Sequence, residues 1–241
     1  MFSSPSRPPA KTPAKTPAKT PAKTPAKTAA KPPAHETVYR RIRDKILFGD
    51  LAPGESVTIQ GLVAECGVSM TPVREAIRRL TAEGALEFQG NRRISVPRID
   101  GARFAELTFA RRQIEPRLVE MAAKRMDQAR IDALRAIDDD LNLAIDAGDV
   151  KGYMRQNHRF HFTLYRRADS HILLPMAEAL WLQFGPLYRI ISGKYGTNNL
   201  EDQHDEALLA LAAGDEKAAA RAILDDISQG FEIVAANFGW D

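Results

Sequence analysis

The sequence predicts a mainly α protein: a winged helix-turn-helix over residues 35–99, then an all-α antiparallel helical bundle over residues 100–241. Three observations point there. Short helical patterns punctuated by Gly49, Gly67 and Gly84 precede two strand-like runs, Leu86-Glu87-Phe88 and Ile94-Ser95-Val96, set around a basic tip. After Arg98 no strand-like alternation recurs, and apolar residues repeat at helical spacing. The 241 residues, 44% hydrophobic and 27% charged, allow a sizeable core and match a globular composition.

Composition removes several classes. A membrane span needs about 18 or more consecutive apolar residues, and the richest stretch, Ile172 to Leu187, is broken by Glu178 and Gln183. The single cysteine, Cys66, excludes an intrachain disulfide and a thiolate zinc cluster within one subunit. It suits a reducing cytoplasm, and a cytoplasmic location is expected. Placed just before Gly67, it reads as a small buried filler in preference to a redox switch.

The net charge of +3 is unevenly distributed. Seven of the 34 basic residues lie in residues 1–34, which hold no acid, so the rest of the chain carries 27 basic against 31 acidic residues. From Lys11 to Lys27 the chain repeats Lys-Thr-Pro-Ala, and Pro13, Pro17, Pro21 and Pro25 forbid a helix. Residues 1–34 are therefore expected to form a disordered, extended basic tail. Two roles are open to it: a solubilising linker, or an arm with non-specific affinity for phosphate.

In the next segment Val38, Ile42 and Ile46 recur on one face of a helix from His35 to Phe48, ended by Gly49-Asp50 and Pro53-Gly54. Thr58 is placed to cap a short helix that Gly67 closes. Ser69 is placed to cap a longer one, from about Met70 to Glu83, with Pro72 in its first turn and Gly84 as its stop. Val73, Ile77 and Leu80 supply its buried stripe, while Ser69, Thr71 and Arg74 crowd its N-terminal end. A recognition helix needs that placement, because its N-terminal residues enter the major groove. Arg78 and Arg79 read as a solvated face. Asn91, Arg92 and Arg93 form the basic tip of the hairpin.

The run Gly67-Val68-Ser69-Met70-Thr71-Pro72-Val73-Arg74-Glu75-Ala76-Ile77-Arg78-Arg79-Leu80, followed by Glu83-Gly84, resembles the signature of the GntR family of transcriptional regulators. The resemblance implies DNA contacts from Gln60, Ser69, Met70, Thr71, Arg74, Asn91, Arg92 and Arg93. Met70 stands where the family usually has an arginine, Arg93 replaces the usual wing-tip glycine, and Gln60 occupies an often basic position. These departures bear on base preference, not on DNA binding itself.

In the bundle, Phe104, Leu107, Ile114, Leu118 and Met121 line one helix and Ile131, Leu134, Ile137 and Leu141 the next. Further helices are expected over about 150–168, 170–191, 199–213 and 215–237. The informative residues are polar ones on apolar faces. Arg111 falls between Leu107 and Ile114; Asn157 and His161 share a face with Met154 and Leu164; His204 shares one with Leu208 and Leu211; Asp226 shares one with Ile223 and Ile233. Buried unpaired polar groups are costly, so these side chains should meet one another, a metal or a ligand. Two imidazoles, a carboxylate and an amide suit a divalent ion such as zinc or nickel; a hydrogen-bonded network inside the bundle is the alternative.

Arg111-Arg112-Gln113-Ile114-Glu115-Pro116 through Met121-Ala122-Ala123, Asn157-His158-Arg159-Phe160-His161, and His204 with Gly214-Asp215 resemble the FCD domain found in one branch of the GntR family. The resemblance implies a metal site in which Asn157, His161 and His204 match three ligands. Asp226 takes the place of a final histidine, and His158 is a weaker substitute. It also implies a small effector, often a carboxylate, with Arg111 as its partner. The expected protein is a homodimeric regulator, most plainly a repressor, on double-stranded operator DNA. Two rivals stand beside it: a metal-dependent hydrolase using the buried His/Asp set, for which no separate general base is evident, and an architectural DNA-binding protein driven by the tail.

Overall fold

Several of the glycines and aspartates that punctuate the sequence flank a helix end in the computed structural model, though Gly193, expected in a link, lies within a helix; the structure describes Met1 and residues 33–90, 93–195 and 203–240, the stretch 188–195 by its backbone alone. The expectations placed on the tail and on Asn91 and Arg92 lie outside the described residues. Helix α1 (Ala34–Leu47) buries Val38, Tyr39, Ile42, Ile46 and Leu47 on one side. Strand β1 (Ser56–Val57) follows, then helix α2 (Ile59–Cys66), begun by Thr58, whose hydroxyl accepts from the Gly61 amide at 3.0 Å. Gly67, at φ +65°, supplies the left-handed stop.

Helix α3 (Met70–Ala82) buries Val73, Ala76, Ile77 and Leu80. Ser69 holds the cap position, but its side chain makes no capping bond, contrary to expectation. The physical reason lies in the sequence: the third helical position, whose amide a cap hydroxyl would take, is Pro72 and has no N–H. Strands β2 (Glu87–Gln89) and β3 (Arg93–Ser95) pair antiparallel with Phe88 opposite Ile94, and β1 adds to the other edge of β3. At two residues, β1 is too short to show an alternation, so the sequence did not reveal it. Two other expectations need correcting. Arg79 pairs with Glu36 at 3.1 Å and Glu83 at 3.0 Å and lies over the Tyr39 ring, so it ties α3 to α1 instead of facing water alone. Cys66 is half-buried and packs against the core edge, not within it.

The bundle comprises α4 (Gly101–Ala123), α5 (Gln128–Asp146), α6 (Val150–Tyr165), α7 (Leu173–Tyr195), α8 (Gln203–Ala213) and α9 (Glu216–Phe238). Asp100, Asp127, Asp149 and Asp215 cap four of them through their carboxylates. Helix α6 stops earlier than expected: residues 166–168 tighten into a 3-10 turn, and Asp169 leaves it at φ +53°. Helix α4 packs along α9, α8 along α9, and α5 along α6. Leu118, Leu134, Phe160, Leu164 and Ile223 are fully enclosed.

The winged helix-turn-helix docks on this bundle through α1 and α7. Gly185 of α7 lies so close to α1 that a Cβ there would overlap the Leu47 carbonyl oxygen. Gln183 donates to the Glu83 carbonyl at 3.0 Å and accepts from Arg103 at 2.9 Å, and Lys151 pairs with Asp50. Among the described residues no helix is long and apolar enough to cross a membrane.

Candidate functional site

The polar residues singled out on separate apolar faces meet in one place. Arg111 from α4, Asn157 and His161 from α6, His204 from α8 and Asp226 from α9 all line a cavity of about 130 Å³. His161 Nε2 lies 3.1 Å from Asp226 Oδ2 and 3.4 Å from His204 Nε2, and His204 Nε2 lies 3.7 Å from Asp226 Oδ1. Asn157, one turn before His161, lines the same wall. His158 also lines the cavity, but outside this cluster: it stacks on Phe162 at 4.4 Å and its Nε2 lies 3.5 Å from an Arg43 nitrogen.

Hydrogen bonds behind the two imidazoles decide which nitrogen carries the proton. Tyr165 donates its hydroxyl proton to Glu115 at 2.6 Å. Having one proton, it must accept from His161 Nδ1, 3.0 Å away. His204 Nδ1 lies 2.7 Å from Asp138 Oδ1 and donates to it. In the neutral imidazoles both Nε2 atoms are therefore lone pairs, and they face each other and the Asp226 carboxylate. Three acceptors that converge in this way require a cation or a shared proton between them.

Burial lowers the proton affinity of His161, and the bond and charge of Asp226 only partly restore it. Burial raises that of Asp226, but His204, His161 and Arg111 together outweigh it and hold the carboxyl below its usual range. Metal binding needs neutral imidazoles and an ionised carboxylate, so an ion and a shared proton would compete for this cluster. The spacing fits as well: ligands at about 2.0–2.1 Å in a tetrahedral arrangement stand roughly 3.3–3.4 Å apart. The donor set thus suits a divalent ion. The Asp138–His204 pair is the carboxylate–histidine arrangement that orients such a ligand.

Arg111, expected to meet another polar group or a ligand, lines the cavity and has a partner within the protein. It is buried and already paired with Glu115, Nε to Oε1 at 2.5 Å, with its guanidinium 4.4 Å from the Trp181 ring centre. Glu115, fully enclosed, thus receives both Arg111 and Tyr165. Burial, followed by the Glu115 charge, pushes the Tyr165 hydroxyl well above its usual range, so it stays a donor. Burial and then the Arg43 charge hold His158 well below the ordinary imidazole value. Reading the sequence missed Glu115, Tyr165 and Asp138. The signals were present: Glu115 is four residues after Arg111, Tyr165 four after His161, and Asp138 lies between Leu134 and Leu141 on an apolar face.

On the opposite part of the chain, Gln60, Ser69, Met70, Thr71 and Arg74 are all exposed at the beginnings of α2 and α3, and Arg93 is exposed on β3. Arg74 has no ion-pair partner among the described residues, in contrast to Arg79. Phe88 of the hairpin is 61% exposed.

Residues 34–96 match the bacterial regulatory proteins of the gntR family, and residues 106–229 match the FCD domain. The chain belongs to the GntR family, FCD branch. It is 28% identical over 192 residues to the HTH-type transcriptional regulator McbR of Escherichia coli K12, covering 78% of this chain and 86% of that one. It is 26% identical over 196 residues to a probable D-xylose utilization operon transcriptional repressor of Paenarthrobacter nicotinovorans, covering 80% and 86%. The solved structure of E. coli McbR/YncC superposes with a TM-score of 0.81 at 24% identity, covering 86% of this chain and all of that one, and so shares the fold. This GntR-family chain is a transcriptional regulator with a DNA-binding domain and an FCD domain.

Proposed function

We propose that this GntR-family regulator acts as a homodimeric repressor whose grip on operator DNA is set by a small carboxylate in the bundle cavity. The observation that supports it is the convergence of three lone-pair donors, a set that a divalent cation would satisfy, beside a buried arginine in one cavity. Asn157, His161, His204 and Asp226 would hold a divalent ion, zinc or nickel by ligand type. When bound, that ion supplies the positive charge that attracts a carboxylate. Glu115 engages Arg111 through Nε and Nη2. The guanidinium's further N–H groups are suited to orient the effector's second oxygen. Asp226 in place of a neutral imidazole adds negative charge and so favours the cation.

At the DNA end, Met70, Thr71 and Arg74 lie at the start of the recognition helix, with Ser69 before it, and Gln60 on α2 and Arg93 on β3 are exposed as well. Arg74→Ala is expected to cost about 1–3 kcal/mol of operator affinity, roughly 5- to 150-fold. Because Arg74 is exposed, stability should not change. Fluorescence anisotropy on the protein's own upstream intergenic DNA measures this. A folded Arg74→Ala protein that binds as tightly as wild type would contradict the placement of α3 in the groove.

A further inference from the structure

We infer that the cavity has a second, apolar subsite built partly by the DNA-binding domain, where Leu47 and Phe48 line it with His158 and Trp181, and that it takes the flat body of a small aromatic carboxylic acid. This rests on reading the His161, His204 and Asp226 end as the carboxylate end.

The cavity wall crosses the domain boundary. Leu47 is the last residue of α1 and Phe48 its C-cap, yet both line the same space as His161 and Asp226. An aromatic wall runs from one end to the other. The Trp181 ring lies 4.9 Å from His161 and 5.7 Å from His158, and the Phe48 ring meets His158 edge-on at 5.8 Å. Rings in such a wall favour a flat apolar guest in stacked or edge contact. His161, His204 and Asp226 would hold the cation, and Arg111 lies over Trp181 and Phe184, so the guest's charge belongs with that group and its ring toward Phe48.

Size narrows the class further. The cavity measures about 130 Å³. A protein cavity of roughly 150 Å³ is known to hold benzene, so this space admits a single ring at most, with its carboxylate against the polar lining. The end of α1 is held in place, because Gly185 brings α7 against the Leu47 carbonyl. A ring seated on Phe48 therefore touches the DNA-binding domain while its carboxylate is held by the bundle. Such a ligand favours one relative placement of the two domains over others, which is what a change in DNA affinity requires.

Calorimetry on the full, zinc-loaded chain compares benzoate with acetate, which carries the same charge without the ring. Wild type should bind benzoate at least about tenfold more tightly. Phe48→Leu, which keeps the α1 end packed, should cut that ratio severalfold and leave acetate affinity unchanged. A second reading needs no variant: nuclear Overhauser contacts should appear between benzoate and the Phe48 ring of selectively labelled wild type. A ratio near one, a ratio untouched in Phe48→Leu, or no contact with Phe48 would overturn the apolar subsite and leave the carboxylate reading standing. Failure of wild type to bind either acid would overturn both.

Discussion

Glu115→Ala is expected to destabilise the protein by about 3–5 kcal/mol, the cost of leaving one partner of a buried ion pair unpaired. Glu115 is fully enclosed, Arg111 is nearly so, and their separation of 2.5 Å makes each the other's main compensation. The same carboxylate accepts from Tyr165, so its loss strands two buried donors at once. At roughly 2–4 °C per kcal/mol for a chain of this size, the melting temperature should fall by about 6–20 °C. Replacing both partners, Glu115→Ala with Arg111→Met, should cost less, because no buried charge is then left without a partner. Thermal unfolding of both variants in chelator checks the order. A Glu115→Ala protein as stable as wild type would mean that water reaches Arg111.

The second large effect concerns the metal. His161→Ala and His204→Ala each remove a lone pair from the cluster, and either should abolish stoichiometric zinc or nickel uptake. Asp138→Ala is the more discriminating change, because among the described residues Asp138 reaches the cluster through His204. Without it the His204 tautomer is no longer fixed, and metal affinity should fall by about 10- to 100-fold while the stoichiometry stays the same. Elemental analysis of protein purified without chelators, followed by competition with a chromophoric chelator, reads both quantities. Wild type that takes up no zinc, nickel or manganese would favour a plain hydrogen-bonded network.

Much of this was legible from one chain because folding penalises polar groups on apolar stripes. Arg111, Asn157, His161, His204 and Asp226 stood out on those grounds, and the cavity brings them together. Their partners did not stand out, for a physical reason. Helical periodicity says which face a residue occupies but not which helix that face meets. Asp138 and His204 are 66 positions apart, and only the packing of α5 on α8 joins them. The same limit hid Phe48, which ends an amphipathic helix of one domain and becomes a cavity wall only once α1 docks on α7. Arg79 shows the reverse error: exposure on its own helix concealed two acidic partners, one of them on α1.

Occupancy of the cavity is expected to set the affinity for one operator. Titrating the zinc-loaded chain against fragments tiling its own upstream DNA, with and without benzoate, alongside His161→Ala, measures this. One fragment should bind far more tightly than the rest. Benzoate should shift that affinity by about tenfold or more in wild type and leave it unmoved in His161→Ala. Equal weak binding to every fragment, indifferent to ligand and to the substitution, would contradict that expectation.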